Sequence, residues 1–238
     1  MEMIYNFFTS ILFLLITATP PTTNIAAIEK PNTEIAETST VNSVEMVYQN
    51  LKANSFSLPN YESFAKAFQG YTILKQKGKI KKDLLTLIDF SKSSNTKRLW
   101  IIDMKTKTIL YNTLVAHGRN SGDEFATSFS NTSSSYKSSL GFYATGEIYN
   151  GKHGASLRLD GLEKGLNSNA RSRAVVMHAA DYVSEKFIQL HNRLGRSQGC
   201  PALPNKLNKE IINLIQGKSC LYIYHPSQTS SNVLKLVS

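Results

Sequence analysis

Between residues 84 and 115 the chain repeats one pattern three times. Runs at 84–90, 98–103 and 108–115 are rich in leucine, β-branched and aromatic side chains, and each is closed by a polar break. Such runs are too short for stable helices, and their side chains pack well on a pleated surface. The pattern predicts three consecutive strands joined as a meander. Comparable runs at 141–147, 155–159, 174–178 and 219–225 follow. The predicted fold class is mainly β within an α+β architecture, a curved sheet or sandwich with a few flanking helices.

The helices are read from a different period. Val44, Val47, Tyr48 and Leu51 share one helical face, as do Phe64, Ala67, Phe68, Tyr71 and Leu74, which predicts amphipathic helices over 44–53 and 61–77. Pro59-Asn60 supplies the break and an N-cap between them. Segments 182–194 and 206–216 are the helices expected in the second half. The stretch from Gly118 to Ser139, rich in Ser, Asn, Gly and Thr, exceeds the roughly 12–15 residues of an ordinary connection and is expected to be a loop on the substrate side.

Ahead of this lies an apolar run from Ile4 to Ala18, followed by the small residues Ala26 and Ala27. Residues 1–27 read as a signal peptide, although the first residues carry Glu2 and no lysine or arginine. An uncleaved anchor is the alternative, and the run is shorter than the roughly 20 residues of a spanning helix. Residues 28–43 continue a Pro-, Thr-, Asn- and Glu-rich stretch that reads as a flexible linker. The expected organisation is then one catalytic domain over 44–238, with N-terminal helices at 44–77 and a β-rich core at 84–225.

The chain carries 27 Lys and Arg against 17 Asp and Glu, a formal charge of +10. A basic protein seeks an acidic partner. There is no zinc-finger spacing, RNP-like aromatic pattern or concentrated basic helix, so nucleic acid is not the expected one. Of the two cysteines, Cys220 opens a strand-like run and reads as a small buried hydrophobe. His117, His153, His178, His191 and Cys200 lack the spacing of a zinc site, and no metal or cofactor is expected.

The chemistry concentrates in Ala174-Val175-Val176-Met177-His178-Ala179-Ala180-Asp181 and, 22 positions after the histidine, in Gly199-Cys200-Pro201. A free thiol of pKa about 8.5 is only slightly ionised at neutral pH and needs a base within about 3 Å. His178 can be that base for Cys200. Gly199 lets the backbone turn tightly, so that the amides of Gly199 and Cys200 can face a developing oxyanion. A histidine and a cysteine without further context are ordinarily core residues, and it is the surrounding sequence that favours a dyad.

That sequence, Ser197-Gln198-Gly199-Cys200 after an upstream His178, resembles the Ser-His-Gly-Cys signature of the L,D-transpeptidase (YkuD-like) family, and is closest to its murein L,D-transpeptidase catalytic domain branch. The resemblance extends over Leu114-Val115-Ala116-His117-Gly118, Ser138-Ser139-Leu140-Gly141-Phe142-Tyr143, Gly151-Lys152-His153-Gly154-Ala155-Ser156-Leu157-Arg158-Leu159 and Gly199-Cys200-Pro201-Ala202. Gln198 stands where histidine is usual, and Ala202 where arginine or asparagine often follows the cysteine. The resemblance implies a Cys200 nucleophile, His178 as base and the Ala179 backbone carbonyl as the group that orients it. It also implies a Gly199 amide at the oxyanion. Arg196, Ser197, Gln198, His117 and His153 are the candidates for contact with substrate, an ordinary place in a turn being the alternative for His117 and His153. The implied activity is attack on the diamino acid–D-alanine bond of a peptidoglycan stem peptide. The thioester would be resolved by an amine or by water, without cofactor, in a monomer of the bacterial periplasm or cell envelope that carbapenems acylate. An L,D-carboxypeptidase, another cell-wall cysteine peptidase or a non-catalytic cell-wall binding protein are the alternatives. Papain-like and NlpC-like peptidases place cysteine before histidine, the reverse of the order here.

Overall fold

The computed structural model describes residues 43–228, 231 and 233. The leader and linker expected over 1–43 lie outside them, except that residue 43 is already helical. Three strands, β1 (Leu84–Asp89), β2 (Leu99–Asp103) and β3 (Thr108–Thr113), form the expected antiparallel meander. A long hairpin follows, β4 (Gly141–Gly151) and β5 (Gly154–Gly161), then the short β6 (Val176–Ala179) and β7 (Ala202–Leu203), and finally β8 (Cys220–Tyr224). All belong to one curled eight-stranded sheet in the order β3-β2-β1-β8-β4-β5-β6-β7. The last strand therefore lies at its centre, parallel to β1 and antiparallel to β4.

The central strands are apolar on both faces because both faces are covered. Trp100, Ile102, Cys220, Tyr222 and Phe142 pack with Phe64, Ala67 and Leu74 of one helix, α2 (Tyr61–Gln76). The alternate residues Leu99, Ile101, Leu221 and Ile223 pack with Ile211, Ile212 and Ile215 of another, α4 (Asn205–Ile215). The period-2 alternation of strands thus sorts one sequence into two cores. Gly70, in mid-helix, is explained by contact, since a Cβ there would stand 1.9 Å from the Phe142 ring. Asn60 caps α2 as expected, its side chain accepting from Glu62 N at 2.9 Å.

Some boundaries differ from the sequence reading. The described part of the first helix, α1, covers residues 43–49 and not 44–53. Lys52 instead pairs with β3, donating to Lys107 O at 2.8 Å and accepting from Ile109 N at 2.9 Å. The helix expected over 182–194 contracts to α3 (Glu185–His191), because Ser184 caps Phe187 N at 3.3 Å and Asn192 turns left-handed at φ 55°. β4 runs on past residue 147, which lifts a hairpin whose tip carries Lys152 and His153. Both cysteines are free, and Cys220 is fully buried.

Candidate active site

The pairing of β6 with β7 brings His178 and Cys200 to one place. The two run parallel, with His178 opposite Ala202 and Ala179 opposite Leu203. Side chains alternate along a strand, so Val176 and His178 face one way, and Cys200, two residues before Ala202, falls beside Val176. The Val176 amide accordingly donates to Cys200 Sγ at 3.4 Å, and the Cys200 thiol points to Ala174 O at 3.7 Å. Ala202 is fully buried and bridged on its other side to Ala116, whose amide donates to Ala202 O at 3.0 Å.

His178 and Cys200 open into one cavity of about 540 Å³. His178 Nδ1 lies 2.8 Å from Ala179 O, which requires the proton on Nδ1 and leaves Nε2 as the basic atom. On its other flank the ring stacks on His153 from the hairpin tip, with centroids 4.4 Å apart. Burial lowers the His178 pKa, the Ala179 carbonyl raises it and His153 lowers it again, with a net fall below 6.5. Burial raises the Cys200 thiol, against smaller opposing effects of the Val176 amide and the Arg173 guanidinium. Both shifts disfavour the charged form.

The cysteine loop is held from within. Ser197 Oγ donates to Cys200 O at 2.7 Å and accepts from Gly199 N at 3.0 Å. Gly199 has φ +119°, and a Cβ on it would approach Lys137 O to 2.7 Å, which explains glycine here. Of the two amides expected at the oxyanion, that of Gly199 is thus committed to Ser197. The Cys200 amide has no protein acceptor among the described residues. Ser197 lines the cavity as well as holding the loop.

The remaining expected residues divide. Gln198 is exposed on the cavity wall, where His153 also stands. Arg196 lines the cavity too, but its Nη1 is held by Asp123 at 2.5 Å and by Gly122 O at 3.1 Å. His117 is a correction: it is 1% exposed and lies outside the cavity wall. Its Nδ1 accepts from Arg98 Nη2 at 2.8 Å, its Nε2 faces Gly122 O at 3.3 Å, and its own carbonyl accepts from Ser197 N at 2.9 Å. Burial, with the Arg98 cation beside it, lowers its pKa to about 4. His117 therefore supports the cysteine loop from behind as a neutral ring.

The sequence reading missed Arg173 and Tyr182, which flank the His178 strand and line the cavity. Arg173 clamps the loop expected on the substrate side, donating to Ser130 O at 2.8 Å and Lys137 O at 2.7 Å. Tyr136 and Ser134 of that loop stand on the cavity wall. Burial and the nearby Cys200 raise the Tyr182 phenol to about 12. Among the described residues no group of three or more His, Cys, Asp or Glu could hold a metal ion.

Residues 57–224 match the family described as the L,D-transpeptidase catalytic domain. The chain belongs to that family. Solved structures similar to it include an L,D-transpeptidase from Mycobacterium smegmatis, at 10% identity over 60% of this chain and 59% of that one, with a TM-score of 0.39. Another is the helical cell shape determining protein Pgp2 from Campylobacter jejuni, at 12% identity over 71% of this chain and 63% of that one, with a TM-score of 0.40. A third is an L,D-transpeptidase from Xylanimonas cellulosilytica, at 10% identity over 78% of this chain and 93% of that one, with a TM-score of 0.37. The chain thus spans about three fifths of the length of the first of these relatives. None of the curated proteins matches it. No helix among the described residues is long and apolar enough to cross a membrane.

Proposed function

We propose that the chain is a peptidoglycan L,D-transpeptidase of the cell envelope, with residues 1–27 as export segment, 28–43 as spacer and 44–238 as catalytic unit. The observation that supports this reading is the cavity shared by Cys200, in the loop leading into β7, and an Nδ1-anchored His178 on the adjoining β6, within a chain of this family. The Cys200 proton passes to His178 Nε2 as sulfur attacks the carbonyl between a diamino acid and a terminal D-alanine. A carbon–sulfur bond forms, and the oxyanion is met by the Cys200 amide. The imidazolium then returns its proton to the leaving nitrogen, D-alanine departs, and a thioester remains. An acceptor amine resolves it to a cross-link, or water to a carboxylate.

The test is mass spectrometry of purified disaccharide-tetrapeptides incubated with the protein. Loss of D-alanine together with a dimeric product supports cross-linking, and loss of D-alanine alone supports the carboxypeptidase outcome. Unchanged tetrapeptide removes the proposal.

A further inference from the structure

The wall of the Cys200 cavity is basic and, among the described residues, carries no acid. Lys152, His153, Arg173 and Arg196 line it, while no aspartate or glutamate does. The Arg196 charge is neutralised where it stands by Asp123. Arg173 is different: besides Ser130 O and Lys137 O, its two Nη atoms donate to the hydroxyls of Ser135 and Ser139, each at 3.2 Å. All four acceptors are uncharged, so the guanidinium is fixed in place without a counter-ion among the described residues. Nη2 lies 3.4 Å from where a Cβ on Gly199 would be, which sets this charge against the cysteine loop.

Lys152 is exposed at the tip of the β4–β5 hairpin and likewise makes no ion pair among the described residues. The hairpin's own carboxylates, Glu147 and Asp160, are taken by Arg158 and Arg171. Two cations without counter-ions among the described residues therefore face one concave space, where the field of each is focused.

We propose that this cavity selects its donor peptide by charge, binding a stem whose carboxylates are free in preference to one in which they are primary amides, with Lys152 and Arg173 as the groups that discriminate. The inference rests on the stem-peptide reading above and adds the chemical state of the stem. A carboxylate gives Lys152 a charge-assisted partner and is attracted by the field of Arg173, whose Nη hydrogens are already donated to neutral oxygens, whereas an amide of the same shape leaves both charges uncompensated.

The experiment uses the full chain carrying Cys200→Ala and two synthetic tetrapeptides ending in diamino acid–D-alanine, one with every carboxylate free and one in which all carboxylates except that of the terminal D-alanine are primary amides. Calorimetric titration at low salt is expected to show the free acid binding about tenfold more tightly, a preference that shrinks as salt screens it. Lys152→Gln should reduce the ratio of the two affinities, and Lys152→Arg should restore it. Equal affinities overturn the proposal, as does a ratio unmoved by Lys152→Gln, and so does absence of binding by either peptide. With Cys200 intact, D-alanine release from both peptides at equal rates overturns charge selection but keeps the stem-peptide reading. Release from neither overturns both.

Discussion

A thiol at the foot of a cavity is a weak nucleophile until something removes its proton, and in this chain Cys200 and His178 are each biased toward the neutral form by burial. Cys200→Ala is expected to abolish D-alanine release. His178→Ala should lower kcat by about 10²- to 10⁴-fold. The pH dependence separates the two groups. Because a neutral His178 is required and its pKa is lowered, kcat/KM should hold down to below pH 6.5 before it falls. In His178→Ala the residual rate should climb with pH into the range of the raised thiol, since hydroxide then does the base's work. An acid limb centred above pH 6.5 would contradict this electrostatic account. A carbapenem provides a second check. A strained amide should acylate Cys200 and leave the fully buried Cys220 unmodified, as peptide mass shifts would report. Labelling of both cysteines at similar rates would remove the case for a specially presented nucleophile.

Two connecting elements hold that pair in place. In the cysteine loop, Gly199→Ala would place a methyl 2.7 Å from Lys137 O on a backbone at φ +119°. It should cost about 10²-fold or more in kcat, through misplacement of Cys200, while the far-UV circular dichroism is preserved. Behind the loop, His117 packs neutral against the fully buried Arg98. Its folded pKa of about 4 lies below the unfolded value near 6.5, so the unfolded chain takes up the proton first as pH falls. Stability present above pH 6.5 should be lost between there and pH 4, on the order of 3 kcal/mol, and levels off below. Urea titrations of wild type and His117→Gln at pH 7.5 and 4.5 would show it, the variant losing less. These elements also show what could be read in advance. The strands of the meander and the β6 to β7 pairing partner His178 announced themselves through dense β-branched runs. The two residues of β7 are too few to show a period, and the burial of His117 depends on Arg98, which joins it only in three dimensions. The helix over 61–77 was legible because its stripe is long. Helix 44–53 was overdrawn because Lys52 finds ladder partners in β3 that no local pattern reveals.

For the molecule as a whole, the two cores meet across strands that both need. Phe142, fully buried, stacks on Tyr222 at 4.1 Å and lies against Gly70 of α2. Phe142→Ala should destabilise the fold by about 3–5 kcal/mol, measured by denaturant unfolding, while the dyad's pH profile is retained in the molecules that remain folded. The same central region sets the order in which the protein becomes complete. β8 is made after every other strand, yet it joins β1 on one side and β4 on the other. While the ribosome still holds residues 220–224, the meander and the half of the sheet that bears His178 have no strand between them. Cys200, twenty residues earlier, has by then already been synthesised. A nascent chain thus carries Cys200 and His178 before it owns the strand that joins the two halves of their sheet.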